Sequence, residues 1–444
     1  MSFLSQEWRD FFLGIVQPGI GLKRWVALLV AGIVFLAMGI AFAMSASVFH
    51  LAYALGYKLT LGGLSPLLRG GIFLGIGLLV VLFAVYRLLD LISKGNRLSR
   101  GQKGAIATLY RHRQLDSGPH IVAIGGGTGL SSLLRGLKEY SSNITAIVAI
   151  TDDGGSSGRL RSELGIPPPG DARACLVALS DAEPFVQRLF TYRFNGTTGL
   201  GGHSLGNLML AALTEMEQGF QQGLDATTNL LGLHGRVVPV SLHTNLVLMA
   251  ETVAGERLVG ESAVGNAPNR IASLWLEPRD AVVNPEAVKS IQSADFIVIG
   301  PGSLYTSVLP NFLLAGLREA LAAANAPKVY VCNVATQWRE TDGYTAEDHV
   351  KALHAIGGVD PTHVLVNTNV VELPGDWSQK AIYPTINRRA FGGEVIGADL
   401  VDDSQRTRHN ADKLARAILS IANKQRVPNH KRSAPVAAHP ANAR

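Results

Sequence analysis

The chain has 444 residues, of which 47% are hydrophobic and 17% are charged, and its formal net charge is +6. The excess of positive charge lies in the flanking segments, because residues 119–423 hold 23 basic and 30 acidic residues and are acidic overall. An acidic domain lacks the basic face that nucleic-acid binding requires, and the two distant cysteines exclude a disulfide framework or a cysteine zinc site.

Two long apolar runs lie near the N-terminus, after a segment, residues 1–22, that is predicted to be amphipathic. The runs are WVALLVAGIVFLAMGIAFAM at 25–44 and GGIFLGIGLLVVLFAVY at 70–86. About 20 apolar residues span the core of a bilayer, so we predict a transmembrane helical hairpin over residues 23–90. The alternative is a buried hairpin in a soluble core, but nothing nearby in the sequence would cover it.

The distribution of positive charge orients the hairpin. Lys and Arg residues cluster before the first run and after the second, whereas the connection between them carries only Lys58 and Arg69. Positive residues stay on the cytoplasmic side, so we expect a plasma (inner) membrane protein with its N-terminus and main domain in the cytoplasm. Residues 91–118 are predicted to be a basic juxtamembrane linker that favours anionic headgroups.

From residue 119 onward, short apolar runs alternate with amphipathic stretches. The runs are HIVAI, NITAIVAI, DFIVIG, KVYVC and HVLVN, and LSSLLRGLKEY is typical of the stretches between them. Continuous apolar strands between helices predict an α/β fold, with a Rossmann-like parallel sheet and helices on both faces. This domain is predicted to span residues 119–423 and to end in a helix over 404–423, before a disordered basic tail at 424–444.

The first candidate site is the glycine-rich turn GGGTGL at 125–130, directly after the first run. Ligands of open α/β sheets bind at the carboxyl ends of strands, and a helix N-terminus presents free N–H groups to anions. No third glycine completes a dinucleotide fingerprint, and no G-K-[ST] completes a Walker loop. We therefore favour a phosphate-binding turn over a plain tight turn, although the sequence matches neither the dinucleotide fingerprint nor the Walker loop.

The second candidate site is TDDGGSSGRLR at 151–161, which follows the second run. One carboxylate together with phosphate oxygens is a common way to hold Mg²⁺, which suits Asp152 and Asp153. A nicotinamide dehydrogenase is an alternative, because a ribose-binding acid would lie near this position, but the paired acids and the missing glycine oppose it. Arg159 and Arg161 could meet phosphate or pair with Glu163.

Four further loops carry polar side chains at predicted strand or helix ends. In PPPGDARACL, Asp171 is either a helix N-cap or an active-site acid. The other three loops are GLGGHSLGNLML, GPGSLYTS and VCNVATQWRET, and they contribute His203, Ser204, Asn207, Ser303, Thr306, Ser307, Asn333, Thr336 and Gln337. We expect the strand-end loops to converge on one cleft, since the carboxyl ends of parallel strands share one edge of the sheet.

These motifs, in this order, resemble the CofD-like superfamily and, more closely, its YvcK-type or gluconeogenesis-factor branch, over residues 119–423. The resemblance to the superfamily implies Mg²⁺-dependent 2-phospho-lactate transfer from a nucleoside-diphosphate-linked lactate. The resemblance to the closer branch implies binding of UDP-sugars such as UDP-N-acetylglucosamine, with links to cell shape, cell-envelope synthesis and gluconeogenic growth.

The resemblance also implies roles for individual residues. Asp152, Asp153 and His203 would be the catalytic positions, with both aspartates on the metal side. The ligand-binding positions would be Gly126, Gly127, Thr128, Gly129, Ser204, Asn207, Gly302, Ser303, Thr306, Ser307, Asn333 and Thr336. One departure is evident, because Trp338 and Arg339 stand where the family pattern T-Q-P-G-E-T has Pro-Gly.

The sequence therefore supports a membrane-tethered regulator that binds a nucleotide-sugar or another nucleoside diphosphate. A Mg²⁺-dependent transferase is the main alternative. A nicotinamide-linked dehydrogenase and a scaffold with a vestigial pocket are weaker alternatives. The expected partners are the ligand and a lipid bilayer contacted through residues 23–90, with no nucleic acid. Homo-oligomerisation and cell-envelope partner proteins are left open.

Overall fold

The computed structural model describes residues 22–44, 65–96 and 115–426, apart from 182, 197–198, 371, 375–376 and 388–390. The chain divides into two compact units between Asp116 and Ser117. The predicted amphipathic segment, most of the predicted linker and nearly all of the predicted tail lie outside the described residues.

The described residues of the N-terminal unit include the helices α1 (Leu22–Met44) and α2 (Pro66–Asn96). Glycines let their backbones approach closely: a Cβ on Gly32 would lie 2.9 Å from Val81 Cγ2, and one on Gly77 would lie 2.9 Å from Leu36 Cγ. Small residues at helix contacts are typical of membrane helices.

One helix among the described residues is long and apolar enough to cross a membrane. It is α2, through the 18-residue window Gly70–Arg87, whereas the apolar stretch Leu28–Gly39 of α1 is shorter than a span. Large apolar side chains on α2 are exposed, among them Leu79 at 69%. The transmembrane hairpin as a whole, with both of its helices, stays a prediction.

The described part of residues 115–426 contains ten strands. In chain order they are β1 (Ile121–Gly125), β2 (Ile144–Val148), β3 (Arg236–Pro239), β4 (Val247–Thr252), β5 (Arg257–Val259), β6 (Ile271–Glu277), β7 (Phe296–Ile299), β8 (Lys328–Val331), β9 (His363–Asn367) and β10 (Glu394–Ala398). Seven of them form a parallel sheet in the order β10-β9-β8-β7-β1-β2-β3, and β5-β4-β6 form a small antiparallel sheet.

Helices cover both faces of the parallel sheet. In chain order, the helices in the described part of this unit are α3 (Gly127–Leu137), α4 (Gly155–Leu164), α5 (Gly170–Leu179), α6 (Glu183–Thr191), α7 (Leu205–Met216), α8 (Phe220–Leu231), α9 (Glu261–Val264), α10 (Pro285–Gln292), α11 (Leu309–Phe312), α12 (Ala315–Ala323), α13 (Ala346–Ala355) and α14 (Ala411–Arg426). A π-helical turn, Leu304–Val308, precedes α11.

Alternate residues of each buried strand enter two separate cores. Ile121 and Ala123 of β1 pack with α3, α5 and α14, whereas Val122 and Ile124 pack with α10, α12, α13 and the small sheet. Side chains of a strand point alternately to its two faces, so continuous apolar runs are required here. The predicted α/β fold with a parallel sheet is confirmed.

The strand order places a crevice between β1 and β7. The chain leaves β1 toward β2 and β3 on one side and leaves β7 toward β8, β9 and β10 on the other. Open α/β sheets bind ligands at this kind of switch point, beyond the carboxyl ends of the strands. The glycine-rich turn after β1 and the loop after β7 lie at this edge of the sheet.

The last helix begins later than predicted, at Ala411 rather than at 404. Asp402 Oδ1 accepts hydrogen bonds from Ser404 N (2.8 Å) and Gln405 N (3.1 Å), which closes a turn before the helix. Asn410 Oδ1 then accepts from Lys413 N at 3.0 Å and caps the first helical turn. Side-chain bonding of this kind competes with helix and moves its start.

Candidate functional site

The glycine-rich turn forms the first wall of a cleft. Helix α3 begins at Gly127, two residues after the end of β1, and its N-cap residue, Gly126, has no side chain to cap it. A Cβ on Gly129 would lie 2.5 Å from the Pro301 carbonyl oxygen, and one on Gly126 would collide with Asp171 Oδ2. The clash at Gly129 is with backbone atoms, so this position requires glycine, and the first N–H groups of α3 have no partner within the helix.

The loops after β7 and β8 form the second wall and are bonded to each other. Gly302 N donates to Asn333 Oδ1 at 3.2 Å, and Asn333 Nδ2 donates to the Gly302 carbonyl at 2.8 Å. Ser303 Oγ donates to Gln337 Oε1 at 2.5 Å. This bonding fixes the hydroxyl and amide groups of the wall before any ligand arrives.

The two walls enclose a cleft of about 260 Å³. Nine of the residues predicted to bind ligand line it together: Gly126, Gly127, Thr128, Gly129, Gly302, Ser303, Ser307, Asn333 and Thr336. Gln337, which the sequence also singled out, lies among them.

The segment before α14 closes the cleft and supplies a positive charge. Thr407, Arg408 and His409 line it, and the Arg408 side chain is exposed. Burial lowers the pKa of His409 to about 4, so this imidazole is neutral, and its Nε2 lies 3.2 Å from the Cys332 carbonyl oxygen. No sequence pattern marked this segment, because it lies far along the chain from the glycine-rich turn.

The predicted residues of the GHSLGN loop lie outside the cleft lining. His203 Nδ1 and Ser156 Oγ are 3.1 Å apart, and Asn207 Nδ2 donates to the same hydroxyl at 3.1 Å. Ser204 Oγ accepts from Asn207 N at 3.3 Å and caps α7. Burial and then the charge of Arg159 lower the pKa of His203, so the imidazole favours its neutral form.

Asp152 and Asp153 are adjacent in sequence but bond to different parts of the structure. Asp152 Oδ1 accepts from Gly154 N at 2.9 Å, which closes a local turn. Asp153 Oδ1 accepts from Ser262 N (3.0 Å) and Ser262 Oγ (2.5 Å), which ties the loop to α9. The described part of the chain contains no group of three His, Cys, Asp or Glu side chains arranged to hold a metal ion.

Two further carboxyl groups adjoin Asp152. Burial first, and then the charge of Asp152, raise the pKa values of both Asp171 and Glu261 to about 7. Asp171 accepts the Gly127 N–H, and Glu261 is hydrogen-bonded to the side chain of Thr306. The N-cap interpretation of Asp171 is wrong, because α5 already begins at Gly170 and its N-cap residue, Pro169, makes no side-chain bond.

The arginines after the paired aspartates hold loops in place. Arg159 Nη2 donates to the Gly201 carbonyl and Arg161 Nη2 to the Leu246 carbonyl, each at 2.7 Å. Neither arginine forms an ion pair with Glu163 among the described residues, and the phosphate contact stays a prediction. Sequence reasoning also missed Glu261 and Ser262, which the small antiparallel sheet brings to this edge.

The turn that departs from the family pattern contains a residue with left-handed backbone conformation. Arg339 has a φ of 66°, the left-handed conformation that glycine adopts without strain. Asp342 Oδ2 accepts from Arg339 N at 2.8 Å, and the guanidinium lies 4.3 Å from the centre of the Trp338 ring. Thr341 Oγ1 still accepts from Gln337 N at 2.8 Å, so the loop remains closed.

The fold and the cleft define an α/β protein of Rossmann-like architecture with a glycine-rich turn at the switch point of its sheet. The family model described as 2-phospho-L-lactate transferase CofD matches residues 121–396. The chain belongs to the CofD family, within its gluconeogenesis-factor (YvcK-type) branch.

Individual relatives agree with this assignment. A Halalkalibacterium halodurans protein named "Gluconeogenesis factor" is 45% identical over 308 residues, covering 68% of this chain and 95% of its own. A Nostoc sp. protein is 39% identical over 418 residues and covers 91% of both chains, more than residues 119–444 could supply alone. The similarity therefore extends into the N-terminal region.

A solved structure of a relative contains only part of this chain's length. The crystal structure of a Bacillus halodurans protein is 44% identical, with a TM-score of 0.64, and covers 68% of this chain and 100% of its own. A chain of this kind therefore folds without a counterpart of the remainder. Residues Ser117–Arg444 form a compact unit here as well.

We expect Arg339→Gly to stabilise residues 117–444 by about 1 kcal/mol, because glycine relieves the left-handed strain. Urea denaturation followed by circular dichroism measures the change. Arg339→Ala is the matched control: it removes the contact with Trp338 but keeps the strain, so it gives no gain. Equal effects of the two substitutions would contradict this explanation.

We expect Asp171→Asn to change how stability depends on pH. Because the folded pKa of Asp171, about 7, lies above the ordinary 3.8, the stability it contributes is present in acid and is lost as pH rises through 7. The advantage of the variant should grow by about 2 kcal/mol between pH 5 and pH 8. Asp280→Asn, at an exposed position, is the control. If the stability difference between Asp171→Asn and wild type did not change with pH, the raised pKa of Asp171 would be refuted.

Proposed function

We propose that this chain is a membrane-tethered gluconeogenesis factor whose cleft binds the diphosphate of a nucleotide-sugar, with UDP-N-acetylglucosamine as the ligand. The observation that carries the proposal is the convergence of the α3 turn, the Ser303 and Ser307 hydroxyls and the Arg408 guanidinium on one cleft. Through this ligand the protein would regulate cell shape, cell-envelope synthesis and growth on gluconeogenic carbon sources.

The chemistry of the cleft suits a diphosphate. Free N–H groups and the positive end of the dipole at the start of α3 favour a negative charge there. The guanidinium of Arg408 can form two parallel hydrogen bonds to phosphate oxygens. The amide side chains of Asn333, Gln337 and Gln379 add donors and acceptors for hydroxyl or base groups.

A role in binding rather than turnover is supported by the carboxylates. Asp152 and Asp153 make their hydrogen bonds to Gly154 and Ser262, and neither lines the cleft beside the glycine-rich turn. The raised pKa of Asp171 allows its carboxyl to be protonated close to an anion. Both features favour holding the ligand.

A Mg²⁺-dependent transferase is the second candidate, and one observation favours it. The charge of Asp152 raises the pKa values of Asp171 and Glu261, and a divalent cation between these carboxyl groups would relieve the repulsion. Mg²⁺ bound there would neutralise charge on a transferring phosphoryl group. Asp152 with Asp171 or Glu261 would hold it.

We expect isothermal titration of residues 117–444 to show saturable binding of UDP-N-acetylglucosamine. Arg408→Ala should weaken affinity roughly tenfold, the cost of one charge-assisted contact, and Gly129→Ala should abolish binding by blocking the turn. Arg406→Ala removes an exposed cation that does not line the cleft and is the matched control.

Two outcomes decide between the candidates. Absence of heat at millimolar ligand from a folded sample would overturn the binding proposal. Turnover of a nucleoside-diphosphate-lactate with a deazaflavin acceptor, only when Mg²⁺ is added, would establish the transferase instead.

The membrane tether makes a separate prediction. The full chain should sediment with membranes and resist extraction by high salt, because the exposed apolar side chains of α2 would face lipid. Residues 117–444 expressed alone should remain in the soluble fraction. Release of the full chain by salt would show that it is held by charge at the surface and would remove the tether from the proposal.

A further inference from the structure

Glu340 lies beneath the loop that forms the second wall of the cleft. The residue is 5% exposed, and its Oε1 accepts a hydrogen bond from Tyr305 N at 2.6 Å. The same carboxylate accepts from the backbone N–H of Thr306. Both donors belong to the turn that carries Ser303 and Ser307, two of the hydroxyls in the cleft.

Glu340 belongs to the loop after β8, which also bonds to Ser303 at the start of this turn. Its neighbour Thr341 accepts the Gln337 N–H at 2.8 Å, and Gln337 accepts the Ser303 hydroxyl at 2.5 Å. The loop is thus joined to the turn by two side chains: Gln337 bonds to Ser303, and Glu340 bonds to Tyr305. Loss of either contact would free the hydroxyls of the second wall.

The remaining oxygen of Glu340 has no hydrogen-bond partner, although it is buried. Two N–H donors stabilise the ionised form, whereas burial opposes it, and burial is the larger effect. The pKa of Glu340 is raised to about 7. The strength of the contact with the turn therefore changes within the physiological pH range.

We propose that Glu340 is a positioning residue whose ionised carboxylate holds the turn 304–308, so that the cleft binds a phosphate-bearing ligand well only when Glu340 is charged. Protonation would leave one neutral acceptor for two donors and would loosen the second wall. Ligand affinity would then fall as pH falls. The identity of the ligand rests on the proposed function, whereas the positioning role of Glu340 rests on its contacts with Tyr305 and Thr306.

The groups that surround Glu340 do not titrate in the same way. Burial raises the pKa values of the Tyr305 and Tyr330 phenols further above neutrality. Behind them the Tyr344 hydroxyl lies 2.7 Å from that of Tyr305, and the Arg270 guanidinium lies over the Tyr344 ring. Burial lowers the pKa of His349, which contacts Tyr344 through its ring.

The direction of the pH effect separates Glu340 from the other acids near the cleft. Protonation of Asp171 or Glu261 removes negative charge near an anion site, so it would strengthen ligand binding as pH falls. Protonation of a histidine would do the same. Glu340 differs from these acids because two backbone N–H groups of the turn 304–308 are bonded to it, so its protonation weakens the wall that it holds.

The test measures the affinity of residues 117–444 for UDP-N-acetylglucosamine by isothermal titration between pH 6 and pH 8. Wild type should bind roughly tenfold more weakly at pH 6 than at pH 8. This is the change expected if only the protein with ionised Glu340 binds the ligand, because about a tenth of Glu340 is ionised at pH 6. Glu340→Gln should already be weaker at pH 8 and should not weaken further in acid. Glu319→Gln, at an exposed position on α12, should keep the wild-type profile.

A second measurement needs no ligand. Trp338 lies two residues before Glu340 on the same loop, so its fluorescence should change with a midpoint near pH 7 in wild type and not in Glu340→Gln; Trp338→Phe identifies the signal. If wild type fails to bind the ligand, the proposed function falls while fluorescence still decides the role of Glu340. Affinity or fluorescence with the same pH profile in wild type and Glu340→Gln would overturn the proposal.

Discussion

The cleft depends on a close approach between two backbones. The first turn of α3 lies so near the Pro301 carbonyl that a Cβ on Gly129 would be 2.5 Å from its oxygen. This approach is possible because β1 and β7 are neighbours and their connections leave in opposite directions. The parallel sheet therefore opens a crevice, and glycine allows both loops to enter it.

The second wall is positioned by polar contacts instead of backbone packing. The Asn333 side chain pairs with both polar groups of the Gly302 backbone, and Gln337 accepts the Ser303 hydroxyl. These bonds join loops that follow neighbouring strands of the sheet. The hydroxyls are thereby ordered in advance, which lowers the entropy cost of binding a polar ligand.

The central strands could be predicted from sequence because they are buried on both faces. Strands β1, β2, β7, β8 and β9 appear as continuous apolar runs and are confirmed, whereas the edge strands β3 and β10 were missed. Edge strands are short or partly exposed, as in EVIGA of β10, so their apolar signal is weaker. The small antiparallel sheet was missed for a similar reason.

The site was predictable where it lies at strand ends and not where distant segments complete it. Nine predicted residues share the cleft because the sheet brings those loops to one edge. Asp152 and Asp153 were expected to act together, but just beyond a strand neighbouring side chains diverge, and Asp153 bonds to Ser262. No sequence pattern predicts that contact or the position of Arg408 in the cleft, because both bring together segments that are far apart in the chain.

The same attraction between anions and free N–H groups is used twice at this edge of the sheet. At the start of α3, Gly127, Thr128 and Gly129 line the cleft, and Asp171 accepts the Gly127 N–H. At the turn 304–308, Glu340 already accepts the N–H groups of Tyr305 and Thr306. A phosphate in the cleft would thus meet backbone donors on the first wall and hydroxyls on the second. The protein's own carboxylate fills the place that an external anion would take at the second turn, which explains why this turn offers Ser303 and Ser307 instead.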